Sequence, residues 1–161
     1  MFTTEHLAAL GALTIRFAEL DEAITELLTD LLRCDEYDIA WSLVVRMDFS
    51  RKVEKARELV RFYSDKFGIA ADSPVEATIA VLKEMEEVAR RRNEIVHSHI
   101  HFSLDETKHV FKHHKKGTVD ASQSVVTNLL NDADRVTVRC MECWIGLRRL
   151  LDGKYAEASE S

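Results

Sequence analysis

The sequence predicts an all-α fold, a four-helix bundle, and three observations lead to this prediction. Glycine and proline are scarce, five and one among 161 residues, which favours long helices over a many-stranded fold. Apolar residues recur at intervals of three and four over long stretches, as in helices that bury one face. One short stretch alternates with a period of two, which is typical of a strand. We therefore expect four long helices, one short helix, and a small β-hairpin between the last two long helices.

The first long helix is predicted over 4–33. Its apolar seam has the three-and-four spacing and consists of Leu10, Leu13, Phe17, Leu20, Ile24, Leu27 and Leu31. The polar run DEYD interrupts this pattern, and a short helix is expected over 39–47. Asp48 or Ser50 is then a suitable N-cap for the next long helix, RKVEKARELVRFYSDKF, which Gly68 ends.

The next long helix has the clearest start signal in the chain. Ser73 has the properties of an N-cap, Pro74 those of a first helical residue, and Glu76 those of a capping-box acceptor. The helix is expected to continue to about His97. Its predicted apolar face consists of Val81, Leu82, Met85, Val88, Ala89, Ile95 and Val96.

The segment after this helix alternates apolar and polar residues with a period of two. The apolar residues Ile100, Phe102 and Leu104 alternate with polar ones, and LDETKHVFKHHKK supplies a turn and a return strand. Asp120 and Gln123 then form a second capping-box pattern. The last helix carries a seam of Val126, Leu129, Ala133, Val136, Cys140, Cys143, Leu147 and Leu150. We expect one helical domain over 1–152 and a frayed tail over 153–161.

Composition narrows the class of protein. No apolar run approaches the roughly 20 residues that span a bilayer, and no secretory signal is visible, so no membrane partner is expected. Three cysteines do not make a disulfide framework, which predicts a reducing cytoplasm. The net charge of −6 argues against a general nucleic-acid binder, so any attraction for phosphate must come from a local patch.

The cysteines and histidines raise the question of a metal. Cys140 and Cys143 have CxxC spacing, but both lie on the seam of the last helix and no second CxxC exists, so we interpret them as buried structural residues. His99 and His101 lie two apart on a strand, yet no cysteine or paired carboxylate joins them with ligand spacing. We therefore predict no metal and no cofactor, and a metal-binding protein that uses the hairpin histidines is a third, weaker hypothesis. The hairpin is basic, and a phosphate backbone is one ligand that its lysines suit, namely Lys108, Lys112, Lys115 and Lys116.

A helical wheel at about 100° per residue places the arginines of the run ARRRNEIVHSHIH on different faces of the helix. Arg90 lies on the polar flank and Arg91 points away from the apolar face, beside Glu84, Glu87 and Glu94. Arg92 falls near the middle of the apolar face, and Asn93 lies at its edge. A charge on a bundle seam is costly unless it is paired or faces a wet cleft. Two interpretations of Arg92 stay open: a structural arginine that snorkels or pairs with an acid, or an arginine that meets an anion in a cleft.

The segment Arg92-Asn93-Glu94-Ile95-Val96-His97 resembles the signature of the HEPN superfamily, an Arg followed by a polar residue, with a His after four to six intervening residues. The segment MDFSRKVEKARELV is also similar to the MxFxxKxxxL-type helix start of small bacterial members. The resemblance implies a four-helix bundle that dimerises, with motifs of two subunits lining one cleft. It further implies that His97 is the general acid/base, that Arg92 holds the scissile phosphate, and that Asn93 orients the His or the backbone phosphate.

The function that the resemblance implies is a metal-independent endoribonuclease of the toxin, anti-phage or RNA-processing type. Arg90 and the hairpin lysines would contact RNA, and a nucleotidyltransferase antitoxin is a further partner. Because Arg92 and His97 diverge by roughly 140° on a straight helix, a site shared by two subunits is favoured. The alternative is a catalytically inactive HEPN-like module that binds a nucleotide or a protein partner through the same cleft.

Overall fold

Five helices form the body of the protein. The computed structural model describes residues 4–70, 74–96, 99–101, 110–113, 117–120 and 122–159. The helices are α1 (Thr4–Leu31), α2 (Tyr37–Val44), α3 (Phe49–Phe67), α4 (Pro74–Val96) and α5 (Gln123–Ser159). The all-α prediction is therefore confirmed. Within the described residues, none of the helices has the length and apolar character that a membrane crossing requires.

The four long helices pack as a bundle. Helix α1 packs against α3 and α5, and α4 packs against the same two helices, so that the four enclose one apolar core. Ion pairs of Arg16 with Asp134 and of Arg33 with Asp152 show that α1 and α5 run in the same direction. The short helix α2 packs on α1. The core contains most of the predicted seam residues of α1 and α5, Cys140 included.

The ends of α3 follow the predicted capping chemistry. The Asp48 carboxylate accepts a hydrogen bond from the backbone N–H of Arg51 at 2.9 Å, so Asp48 and not Ser50 is the cap. Gly68 follows the helix with φ +58°, a left-handed conformation that glycine adopts without a Cβ clash. Pro74 begins α4 as predicted, while its predicted cap Ser73 lies outside the described residues.

The prediction of a small two-stranded hairpin is not supported. The described residues after α4 form three short strands, β1 (His99–His101), β2 (Val110–His113) and β3 (Gly117–Asp120), in the antiparallel order β1-β2-β3. The third strand was not predicted, and its last residue Asp120 was assigned to the capping box of the last helix. Its β-branched pair, Thr118 and Val119, favours an extended backbone.

Both ends of α5 differ from the prediction. Asp120 pairs with Val110 in the sheet instead of capping the helix, and Ser122 is the residue before α5. The predicted frayed tail is wrong over 153–159, which continue α5. The reason is Tyr155, whose ring packs edge-on against Phe67 at 5.0 Å between centroids, so the last turns of α5 are anchored on α3.

The connection between α1 and α2 also differs slightly from the prediction. Helix α1 ends at Leu31 instead of Arg33, which has φ +51°, and α2 covers 37–44 instead of 39–47. A positive φ is uncommon outside glycine. The Arg33 side chain is held on both sides, because its guanidinium pairs with Asp152 at 2.6 Å and lies over the Tyr155 ring at 5.0 Å.

Candidate functional site

Helix α4 places the candidate residues on its last two turns. The predicted apolar face is buried from Val81 to Ile95, whereas Val96 is exposed at the end of the helix. The three arginines 90–92 follow one another at this end. Because successive residues differ by about 100° around the axis, each arginine meets a different environment.

Arg90 is held on the surface of α4 by its own helix. Its guanidinium donates hydrogen bonds to the carboxylates of Glu87 and Glu94, one turn before and one turn after. These bonds raise the pKa of Arg90, with Glu87 as the main cause. Its charge is therefore already neutralised, which weakens its predicted role as an RNA-binding residue.

Arg91 connects two helices. It donates to the Asp132 carboxylate of α5 at 2.7 Å, and Arg135 donates to the same carboxylate at 3.2 Å. The hydrogen bond from Arg91 is the main cause that lowers the pKa of Asp132. The sequence placed Arg91 beside glutamates of its own helix, whereas the hydrogen bond that the structure shows goes to an acid of α5. The Glu84 carboxylate instead accepts hydrogen bonds from Arg135 and Arg139 of α5.

Arg92 differs from both neighbours. Its guanidinium carbon lies 4.7 Å from the centroid of the Phe17 ring of α1, and its Nη1 donates to the Asn93 side-chain oxygen at 3.0 Å. Its Nε is buried and has no hydrogen-bond partner within the described residues. The carboxylates of that same part of the chain make no ion pair with it. Arg92 is thus a half-buried cation with a ring below it and, among the described residues, no acid beside it.

The ring below Arg92 belongs to a meeting point of three helices. Phe17 of α1 packs against Phe49 of α3, with 5.0 Å between ring centroids. We call the group of Phe17, Phe49 and Arg92 the Arg92 junction. Both rings are half-buried and lie against the core. The sequence analysis placed Phe17 on the seam of α1 but did not foresee that it supports an arginine of α4.

A buried ion pair lies one turn further along the same contact. Lys52 of α3 is only 1% exposed, and its Nζ donates to the Asp21 carboxylate of α1 at 2.7 Å. Lys52 follows Phe49 by three residues and Asp21 follows Phe17 by four, so the ring pair and the ion pair occupy successive turns. Sequence reasoning missed Lys52 as a core residue. Its spacing from Phe49, Ala56 and Val60 was the available signal.

Several predicted site residues cannot be placed. His97, Lys108, Lys115 and Lys116 lie outside the described residues. Lys112 lies in β2, where its backbone pairs with His99 of β1. Asn93 is exposed and bonded to Arg92. The structure therefore brings together Arg92 and Asn93 of the predicted site.

The burial expected of the two cysteines is found for Cys140, whereas Cys143 is only half-buried. Cys140 is buried, and burial raises the pKa of its thiol to about 12. Burial also raises the pKa of Cys143. A thiolate is the form that binds metals and attacks substrates, so these thiols are poorly suited to either task. No group of three or more metal-binding side chains occurs among residues with a described position.

The geometry around Arg92 suits an anion. A guanidinium holds two oxygens of a phosphate or carboxylate at once, and a partly water-excluded site strengthens that interaction. Comparison of the chain with protein-family models, curated proteins and solved structures finds no match in any of the three. The function must therefore be argued from the chemistry of this site.

Proposed function

We propose that the protein is a metal-independent HEPN-type endoribonuclease in which Arg92 binds the scissile phosphate. The observation that supports this most is the difference between Arg92 and its neighbours. Arg90 and Arg91 each pair with carboxylates, whereas Arg92 makes no such pair within the described chain. A half-buried cation without an acid is costly in a purely structural role, and an anionic ligand removes that cost.

The chemistry of RNA cleavage requires two groups that the motif supplies. The 2′-hydroxyl must lose a proton near neutral pH, and histidine is the side chain whose ordinary pKa suits this task. The transition state gathers negative charge on the phosphate, which a guanidinium stabilises. In this proposal His97 is the general acid/base, Arg92 holds the phosphate, and Asn93 orients Arg92 through the hydrogen bond between them. The 2′-oxygen bonds to phosphorus as the P–O5′ bond breaks, and the proton taken by the histidine goes to the leaving 5′-oxygen. The products are one RNA end with a 2′,3′-cyclic phosphate and one with a 5′-hydroxyl.

The same proposal includes the assembly. Because Arg92 and His97 are five residues apart, about 140° around a straight helix, two subunits together complete a site more easily than one. We propose a homodimer with a composite cleft and a nucleotidyltransferase antitoxin as a further partner, all in the cytoplasm. The lysines of 108–116 would contact the RNA backbone, whereas Arg90 is already paired with two glutamates of its own helix.

The test is cleavage of RNA by the purified protein in the presence of EDTA. We expect degradation in wild type and a loss of about 10²–10⁴-fold in His97→Ala, with an unchanged circular dichroism spectrum. His101→Ala is the matched control, since it removes a neighbouring histidine outside the motif, and it should retain activity. Arg92→Ala should lose activity, whereas Arg90→Ala should reduce it far less.

Two results would contradict the proposal. Activity that survives His97→Ala would exclude the assigned acid/base. Absence of cleavage in wild type, combined with thermal stabilisation by nucleotides, would favour the inactive binding module instead.

A further inference from the structure

The side chain of Arg92 has few described contacts that set its orientation. Its Nε is buried without a hydrogen-bond partner in the described chain. One terminal nitrogen is bonded to Asn93, which is itself exposed. The remaining described contact is the face of the Phe17 ring, 4.7 Å from the guanidinium carbon. A guanidinium that lies over a ring face is attracted by the ring quadrupole, while its terminal nitrogens can still donate hydrogen bonds.

Phe17 is itself firmly held. It lies on the seam of α1 against the core, and Phe49 of α3 packs on it at 5.0 Å with an interplanar angle of 42°. One turn further, the Lys52–Asp21 pair joins the same two helices. A ring that is fixed by two helices can define the position of a side chain from a third helix.

We propose that Phe17 is a positioning residue: its ring face fixes the position of the Arg92 guanidinium so that the terminal nitrogens meet the phosphate. Because this role belongs to the ribonuclease proposed above, it rests on that function. Phe17 touches neither substrate nor product. It acts only through Arg92, so its contribution is realised when charge develops on the phosphate.

The matched variants are Phe17→Leu and Phe49→Leu. Both remove one ring from the same apolar contact, but only the first removes the face below Arg92. We expect Phe17→Leu to lower kcat about tenfold with KM changed less than about threefold, as for an interaction used in the transition state. Phe49→Leu keeps the ring face below Arg92 and leaves an apolar side chain packed against Phe17, so both constants should stay within about threefold of wild type. Phe17→Tyr retains the ring face and should restore most of the activity.

A second measurement does not depend on activity. The protons of the Arg92 side chain should show an upfield ring-current shift in the NMR spectrum, lost in Phe17→Leu and retained in Phe49→Leu. If Phe17→Leu does not fold, pentafluorophenylalanine at position 17 keeps the ring size and reverses the charge of its face. That protein should fold, lose about tenfold in kcat, and bind RNA almost as wild type does.

The outcomes separate the two proposals. Wild-type protein that leaves RNA intact overturns the ribonuclease, and the positioning role with it, even where the ring-current shift is seen. Wild-type cleavage with an unaffected Phe17→Leu or fluorinated variant overturns the positioning role alone. A loss in Phe49→Leu as large as that in Phe17→Leu also overturns it, since any loosening of the core would then suffice.

Discussion

Removal of Asp21 should destabilise the fold far more than its position on the surface suggests. Lys52 is 1% exposed and has the Asp21 carboxylate as its ion-pair partner, while the Asp21 side chain is 38% exposed. An Asp21→Ala variant leaves a buried ammonium group without that partner. Breaking a buried pair in this way costs about 3–5 kcal/mol, and the lower end applies because water reaches Asp21.

The expected loss in the free energy of unfolding of Asp21→Ala can be estimated from the lost ion pair and the helix propensity of alanine. Starting from about 3 kcal/mol, roughly 0.5 kcal/mol is regained because alanine is the better helix former. A loss of about 2.5 kcal/mol is therefore expected in the free energy of unfolding. With a urea m-value of about 2 kcal/mol/M, the midpoint of unfolding should fall by roughly 1.2 M. Circular dichroism at 222 nm in a urea titration measures this shift.

Three further variants isolate the ion pair. Glu22→Ala removes an equal charge from an exposed neighbouring position, and it should change stability by less than about 0.5 kcal/mol. Lys52→Met replaces the buried cation by an apolar chain of similar length, and it should cost less than about 1 kcal/mol. Asp21→Ala in the Lys52→Met background should then add little, which gives a coupling energy of about 2.5 kcal/mol. Equal losses in Asp21→Ala and Glu22→Ala, or a negligible coupling energy, would refute the reasoning.

Two further predictions concern titratable groups away from the site. Burial raises the pKa of Tyr63 to about 12. Between pH 10 and 12 the unfolded chain therefore loses its phenol proton before the folded chain does, and stability should fall as pH rises. Tyr63→Phe should lower stability by about 1 kcal/mol at pH 7, because the hydroxyl no longer donates to the Leu31 carbonyl at 2.8 Å. It should also flatten the alkaline decline in urea titrations, and an unchanged decline would contradict the assignment. For the thiols, Cys34 is exposed while Cys140 is buried with a pKa of about 12. A disulfide reagent at pH 8 should label one cysteine rapidly, and a fast phase that persists in Cys34→Ser would show that another thiol is accessible.

Periodicity and capping signals predicted those parts of the fold that depend on residues close together in the sequence. The seam of α1, the buried face of α4 and the capping roles of Asp48 and Gly68 are of this kind. Each depends on local chemistry within a few residues of the chain. The same reasoning placed Arg92 on the apolar face of α4, and the structure finds it half-buried there.

The features that escaped prediction depend on partners distant in sequence. Arg91 was expected beside glutamates of its own helix, yet its carboxylate partner is Asp132, 41 residues later. Lys52 has the spacing of a core residue. A buried lysine can be predicted from spacing only if its acidic partner is identified as well, and Asp21 lies on another helix. The last turns of α5 contain few apolar residues, and Tyr155 holds them through rings of α3 that only the folded chain brings near.

Lys52 and Arg92 both lie against the apolar interior where α1, α3 and α4 come together, but their partners differ in charge. Lys52 has a carboxylate at 2.7 Å, so its burial is compensated within the protein. Arg92 has a ring face and an amide oxygen, neither of which carries a full negative charge. If both served only to join helices, a carboxylate beside Arg92 would be the cheaper arrangement, as it is for Arg90 and Arg91. Departures from such local rules concentrate at functional sites. Among the residues that the structure describes, no carboxylate neutralises the charge of Arg92, and this favours an anionic ligand.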